Sequence, residues 1–148
     1  LKMSGKITVI TILGASLCFG IVFFYFQSFA YYQEFSGVTK IEVQDRKIDV
    51  ENYLGIKANT SALKMRSCFV VKPSAFRNLP LAEKPQPLKA PFWFDCFNSK
   101  DLQEAIDDER AKAYLAQENE ADGIDRLVVI FPNGRGYEWR QLNKKYLN

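Results

Sequence analysis

With 148 residues and no histidine, the chain lacks the imidazole of Ser-His-Asp and Cys-His catalysis, and with it the commonest metal ligand. Its 20 Lys and Arg against 17 Asp and Glu give a formal net charge of +3, too slight for a nucleic-acid-binding face. Without Lys2 and Lys6 the rest of the chain carries 18 bases and 17 acids, so no nucleic-acid partner is expected.

The first element is apolar. From Ile7 to Phe26 there is no charged residue and no proline, about the length a helix needs to cross a bilayer core of roughly 30 Å. Thr8, Thr11 and Ser16 interrupt it mildly, because their hydroxyls can bond back to the preceding turn. Lys2 and Lys6 precede the run, and residues 27–39 hold one acid, Glu34, and no base. The excess of bases on the N-terminal side predicts a cytoplasmic N-terminus, with the rest of the chain outside the bacterial inner membrane, in the periplasm. Tyr25, Phe26, Phe29, Tyr31 and Tyr32 crowd the far end, where amphipathic rings suit the interface. Ser28-Phe29-Ala30 has the small-x-small look of a signal-peptide cleavage site, but the apolar run exceeds the usual signal-peptide core, so a retained single-pass anchor is expected. Few residues precede the run, so no kinase or transmitter is expected on the cytoplasmic side. Gly14 and Cys18, and Ser16 and Gly20, are spaced four apart, which predicts a shallow groove for packing against another membrane helix.

The anchor with its short tail is assigned to residues 1–35 and one extracytoplasmic domain to residues 36–148. In the domain, Val38 to Gln44 alternates with period two, placing Thr39, Ile41 and Val43 on one face, and reads as a half-buried strand. A turn is expected at Asp45-Arg46-Lys47 and a second strand over Ile48–Ile56. Leu63–Val71 reads as a third strand, carrying Cys68. Residues 72–91 contain Pro73, Pro80, Pro85, Pro87 and Pro91 and read as an extended loop, a candidate contact with a neighbour. Asn98 or Ser99 can cap a helix, Asp101 and Glu104 suit its positive end, and helical spacing of Leu102, Ala105, Ile106, Ala113 and Ala116 predicts that it runs to about Gln117. Asp107, Asp108 and Glu109 read as its solvated face rather than a metal or acid–base pair. Arg126–Phe131 is a strongly apolar strand. Pro132-Asn133-Gly134-Arg135-Gly136 is a turn, with Asn133-Gly134 expected to supply positive φ, and Tyr137–Leu142 returns as the second arm of a hairpin. The Gly-Arg-Gly of that turn is not followed by a helix, so it is a weak phosphate signal.

Cys18 lies in the apolar run, leaving Cys68 and Cys96 outside. Two cysteines in an oxidising compartment pair, and these are far apart in sequence, unlike a redox C-x-x-C. They are read as a structural disulfide. The stretch Ala90-Pro-Phe-Trp-Phe-Asp-Cys-Phe97 is read accordingly as a packed junction: Phe92, Trp93, Phe94 and Phe97 bury the step from loop to helix against the hairpin that carries Trp139, and Cys96 ties it to the strand of Cys68. The fold class expected is α+β: one transmembrane helix, then a mostly antiparallel sheet with one main helix and a C-terminal hairpin.

The segments Met3-Ser-Gly-Lys6, Arg66-Ser-Cys-Phe69, 88–97 with its Trp-Phe-Asp-Cys-Phe, 113–119, and Gly123-Ile-Asp-Arg126 through Phe131-Pro-Asn-Gly-Arg-Gly-Tyr137 to Trp139 resemble an uncharacterised family of short, single-pass bacterial membrane proteins, mostly alphaproteobacterial. The resemblance covers nearly the whole chain and implies no catalytic residues.

No catalytic, metal or cofactor site is therefore expected. The expected role is a non-catalytic accessory subunit of an integral membrane protein complex, a respiratory one among the possibilities, contacted through the transmembrane helix and the proline-rich loop. Alternatives are an assembly factor handling thiols or copper(I), with Cys68, Cys96 and Met65 as soft ligands, and an envelope binding module using the proline loop.

Overall fold

A computed structural model describes residues 4–146, among which are two helices and seven strands. Lys2, used above for orientation, Met3 of the Met3-Ser-Gly-Lys6 segment, and the closing Leu147-Asn148 lie outside the described residues. The chain divides into two compact units between Tyr31 and Tyr32, so the folded domain begins four residues earlier than residue 36.

The first unit is helix α1, Gly5–Ser28, with no acid in its first turn, no base in its last and no buried residue. Its 24 residues extend about 36 Å at 1.5 Å each, long and apolar enough to cross a bilayer. Thr11 Oγ1 donates to Ile7 O at 2.8 Å, which satisfies the hydroxyl within the helix. Gly14, Ser16, Cys18 and Gly20 all lie on this helix and are exposed.

The second unit is an antiparallel sheet. β1 (Tyr32–Ser36), missed in the sequence, and β2 (Lys40–Val43) act as halves of one interrupted strand. Both pair with β3 (Arg46–Ala58), β1 along its end and β2 along its start. The turn between β2 and β3 is Gln44-Asp45, one residue earlier than expected, with Gln44 at φ 55°. β3 pairs in turn with β4 (Met65–Val71), with a register shift between Glu51 and Leu54 opposite the break at residues 37–39. Such a shift sharpens bend and twist. It rolls β2 across to the far edge of the sheet, where Gln44 N donates to Ala116 O at 2.6 Å and its side-chain amide to Leu115 O at 2.7 Å.

Residues 72–91 are less extended than expected. A 3-10 turn spans Pro73–Phe76 and buries Phe76. Ala82 N donates to Ala113 O, and Leu115 N to Pro80 O, so the loop makes a short bridge on the sheet's edge.

Helix α2 is Ser99–Asp107, capped by Asn98 Oδ1 accepting from Asp101 N at 3.1 Å. It ends ten residues before Gln117. Glu109 takes φ 59°, Glu109 N donates to Ile106 O and Arg110 N to Ala105 O, which close the helix in a Schellman turn without glycine. The following residues, read above as helix, form β5 (Lys112–Ala121). Ala113 and Ala116 keep helical spacing but as strand face opposite sides, Ala113 in the outer cluster described below and Ala116 in the inner one, and the strand wins because the edge of β6 (Ile124–Ile130) offers it a ladder. Asp122-Gly123 is accordingly a hairpin turn between strands. β6 pairs with β7 (Arg135–Leu142) as the expected hairpin, though its loop is four residues, 131–134, and only Gly134 of the Asn133-Gly134 pair has positive φ.

The strand order is β1-β3-β4-β7-β6-β5, with β2 beside β3. The inner face of the roll encloses one apolar cluster, including Val43, Ile48, Tyr53, Phe69, Phe76, Val128 and Ile130. The outer face carries a second, including Ile56, Phe94, Phe97, Leu102, Leu127, Val129 and Trp139, covered by α2 and the segment before it. Central strands are thus buried on both faces, and even the charged Glu138 on β7 is 2% exposed. Gly136 on β7 stands across from Phe69, whose ring comes within 2.3 Å of where a Cβ would sit. Gly136→Ala is expected to force that buried ring aside and lower stability by about 1–3 kcal/mol, read as a shift in urea midpoint.

Candidate functional site: a buried charge cluster and an exposed disulfide

Two groups of side chains stand out from an otherwise apolar interior. The first lies inside the roll and centres on Glu138 of β7. Ser67 of β4 is its cross-strand partner and donates its hydroxyl to Oε1 at 2.7 Å. Tyr53 Oη, from β3, donates to the same oxygen at 3.1 Å. Arg126 of β6 donates from Nη1 to Oε2 at 2.7 Å, from Nε to Glu120 Oε1 at 2.9 Å, and from Nη2 to the Glu42 carbonyl of β2 at 2.6 Å. Arg140 completes the chain by donating to Glu120 Oε2 at 2.9 Å.

The electrostatics follow from this arrangement. Burial disfavours the Arg126 charge, but Glu138 and Glu120 outweigh it and hold the guanidinium's pKa above its ordinary value. Burial, and then the adjacent Glu138 charge, push the Tyr53 phenol far up, so it stays neutral and donates. Among the described residues no buried side-chain nitrogen or oxygen is left without a hydrogen-bond partner. The cluster spans β2, β3, β4, β5, β6 and β7, so it fixes how the roll closes.

The second group lies on the outer face. Cys68 of β4 and Cys96 form a disulfide, Cα to Cα 6.3 Å, 28 residues apart in sequence. Closing such a loop contributes roughly 3.5 kcal/mol in the chain-entropy model. The two cysteines differ in exposure: Cys68 is 9% exposed, whereas Cys96 is an exposed residue. Cys96 lines a groove of about 480 Å³ with Asp95, Asp101, Glu104, Arg110, Arg135 and Tyr137.

The expected aromatic junction forms in part. Phe94 and Phe97 are buried, and Phe97 meets Trp139 edge to face at 6.5 Å and Tyr137 at 6.2 Å. Trp93 is half-buried and packs on Tyr32 at 5.8 Å. Phe92 is 66% exposed and is not a core residue. The backbone between Pro91 and Phe94 turns there, and the alternate aromatic goes outward.

Arg66, two residues before Cys68, is buried and donates to four carbonyls: Leu63 and Met65 at 2.6 Å, Leu88 at 3.0 Å and Lys89 at 3.1 Å. Burial brings its pKa down to about 10, opposed only by Tyr32, so it remains a cation. It thereby pins the proline-rich loop. Gln141 does the same further back, accepting from Gln86 N and donating to Lys84 O, each at 2.8 Å. A second groove, about 670 Å³, lies between residues 80–84 and the ends of β5 and β6, with Lys144 bonded to Glu83 across it at 2.8 Å.

Asp107, Asp108 and Glu109 lie exposed at the end of α2. Both Cys68 and Cys96 sulfurs are held in one bond and Met65 is buried at 7%, so the copper(I) ligand set is not assembled. The Gly134-Arg135-Gly136 turn directs Arg135 over the Phe131 ring at 4.8 Å. Sequence reasoning missed Tyr53, Arg66, Arg126 and Glu138. Their signal was a charge or hydroxyl embedded between aromatic or aliphatic neighbours, as in Tyr137-Glu138-Trp139.

Compared with known proteins, residues 37–147 match the model described as a Family of unknown function (DUF6446). No curated protein and no solved structure matches the chain.

Proposed function

The chain belongs to the DUF6446 family of unknown function, and on that premise we propose that it is a non-catalytic accessory subunit of an integral membrane protein complex. One observation carries the reading: α1 is 24 residues long and no residue of it is buried by the chain itself. In water that surface has no cover. Lipid can cover all of it, and two pairs of small residues, Gly14 with Cys18 on one face and Ser16 with Gly20 on the opposite face, allow a second helix to approach closely at either. The charge cluster inside the roll supports a structural role for the domain, since its acids and bases are spent on one another.

We place the domain in the periplasm of a bacterial inner membrane, with Lys6 on the cytoplasmic side of a retained single-pass anchor. The Trp93-Phe-Asp-Cys-Phe97 and Gly123-Ile-Asp-Arg126 motifs, in this reading, mark a bacterial and mostly alphaproteobacterial membrane family. Contacts run through α1 and the proline-rich residues 72–91, and respiratory complexes are the first to probe.

The test is recovery with a C-terminal tag from membranes solubilised in mild detergent, resolved on a native gel. Stoichiometric co-migration with one large complex is the expected result. A lone small particle overturns the subunit reading and moves the role to the domain by itself.

A further inference from the structure

We infer that Cys96 is a thiol–disulfide exchange site, at which the Cys68–Cys96 bond is opened and closed by an external thiol without unfolding the domain. The unequal exposure of the two cysteines carries this: Cys96 is an exposed residue and lines a groove, while Cys68 is 9% exposed, so Cys96 is the one an incoming thiolate meets. Arg110 and Arg135 line the same groove with Asp95, Asp101 and Glu104, three acids against two bases, so the lining itself does not draw in a thiolate. Arg66, two residues before Cys68 on β4, holds the neighbouring segment by donating to four carbonyls, of Leu63, Met65, Leu88 and Lys89.

The bond is also not the only fastener at its junction. Phe94 and Phe97 are in the core, Arg66 holds Leu88 and Lys89, and Gln141 holds Lys84 and Gln86. Those contacts remain when the sulfurs separate.

The step is an ordinary exchange. A donor thiolate attacks Cys96 Sγ, a new sulfur–sulfur bond forms to the donor, and the electron pair of the old bond leaves with Cys68, which then takes a proton. A second donor thiol attacks the donor sulfur of that mixed disulfide and releases Cys96. The donor loses two electrons and two protons as it forms its own disulfide, and the chain gains them as two thiols. The donor is therefore a thiol couple, either a protein dithiol or a small thiol.

The test uses the full chain in detergent micelles with Cys18→Ser, so that only Cys68 and Cys96 report. Reduction by glutathione, and separately by reduced thioredoxin at equal thiol concentration, is followed by acid quenching and maleimide mass-tagging, with and without urea. The expected result is reduction in buffer within tenfold of the rate in urea, with far-UV circular dichroism unchanged. In single-cysteine variants treated with oxidised glutathione, which leaves one glutathione on the protein and releases the other as thiol, Cys68→Ser is expected to trap glutathione on Cys96 at least tenfold faster than Cys96→Ser traps it on Cys68. Faster reduction by thioredoxin assigns a protein dithiol, and faster reduction by glutathione a small thiol. A bond that opens only in urea, or a reduced protein that loses its secondary structure, overturns the proposal and leaves a purely structural cross-link.

Discussion

Glu138→Ala is expected to lower the stability of the domain by about 3–5 kcal/mol, the range for removing one partner of a buried ion pair. The change leaves Arg126 in the roll with Glu120 as its remaining carboxylate, and it strips the acceptor from the Ser67 and Tyr53 hydroxyls. Each orphaned donor in an apolar interior adds to the loss. Glu138→Gln keeps the shape and one acceptor oxygen but turns an amide N–H₂ toward a donor, so an intermediate loss is expected. Replacing both partners, Arg126→Met with Glu138→Leu, removes the desolvation cost along with the attraction and is expected to recover much of the difference. Urea unfolding followed by the fluorescence of Trp93 and Trp139 measures all three. A loss below about 1 kcal/mol for Glu138→Ala would show that the cluster does not hold the roll.

Trp139→Ala is expected to be of similar size, about 3–5 kcal/mol, through a cavity rather than a charge. Trp139 is fully buried and packs on Phe97, and its Nε1 donates to Gln141 Oε1 at 2.9 Å. That oxygen also accepts from Gln86 N, so the indole helps to orient the amide that fastens the proline-rich loop. The expected signature is therefore double: a lower urea midpoint, and faster protease cleavage within residues 80–90 under native conditions. Trp139→Phe keeps a ring but loses the N–H donor. It is expected to cost less in stability while still loosening the loop. If cleavage is unchanged in both variants, Gln141 is held without the indole.

The two outer limits of the fold were legible because each depends on local pattern. An uninterrupted apolar run from Ile7 to Phe26 can hardly be anything but α1, and apolar residues flanking Asn133-Gly134 force a hairpin. The disulfide was legible because Cys18 lies in the apolar run and leaves Cys68 and Cys96 as the two cysteines of the domain. What was not legible depends on partners distant in sequence. Lys112–Ala121 carries alanines at helical spacing, and it becomes strand because β6 is there to pair with it and both faces of the sheet are covered. The helix before it ends on Glu109 in a left-handed conformation, which a search for glycine cannot find. β1 was hidden because its polar Gln33 and Glu34 look like linker, and only pairing with the end of β3 orders them. The charge cluster was invisible for the same reason: Tyr53, Ser67, Arg126 and Glu138 come from four strands, and period two assigns Glu138 to solvent until β7 is known to lie between β4 and β6.

The rolling of β2 onto β5 has a consequence for self-association. An unpaired strand edge is a template on which a second chain can add, and natural domains blunt such edges. Here Gln44 and the short bridge at Leu81 occupy the outer side of β5 between residues 113 and 116, so that edge is closed to strand addition there. β1 has β3 on one side and, among the described residues, no strand on the other. Tyr32–Ser36 is therefore a bare edge on which a strand can add. A second copy adding antiparallel there and centred on Glu34 would place two like charges side by side, which disfavours that register.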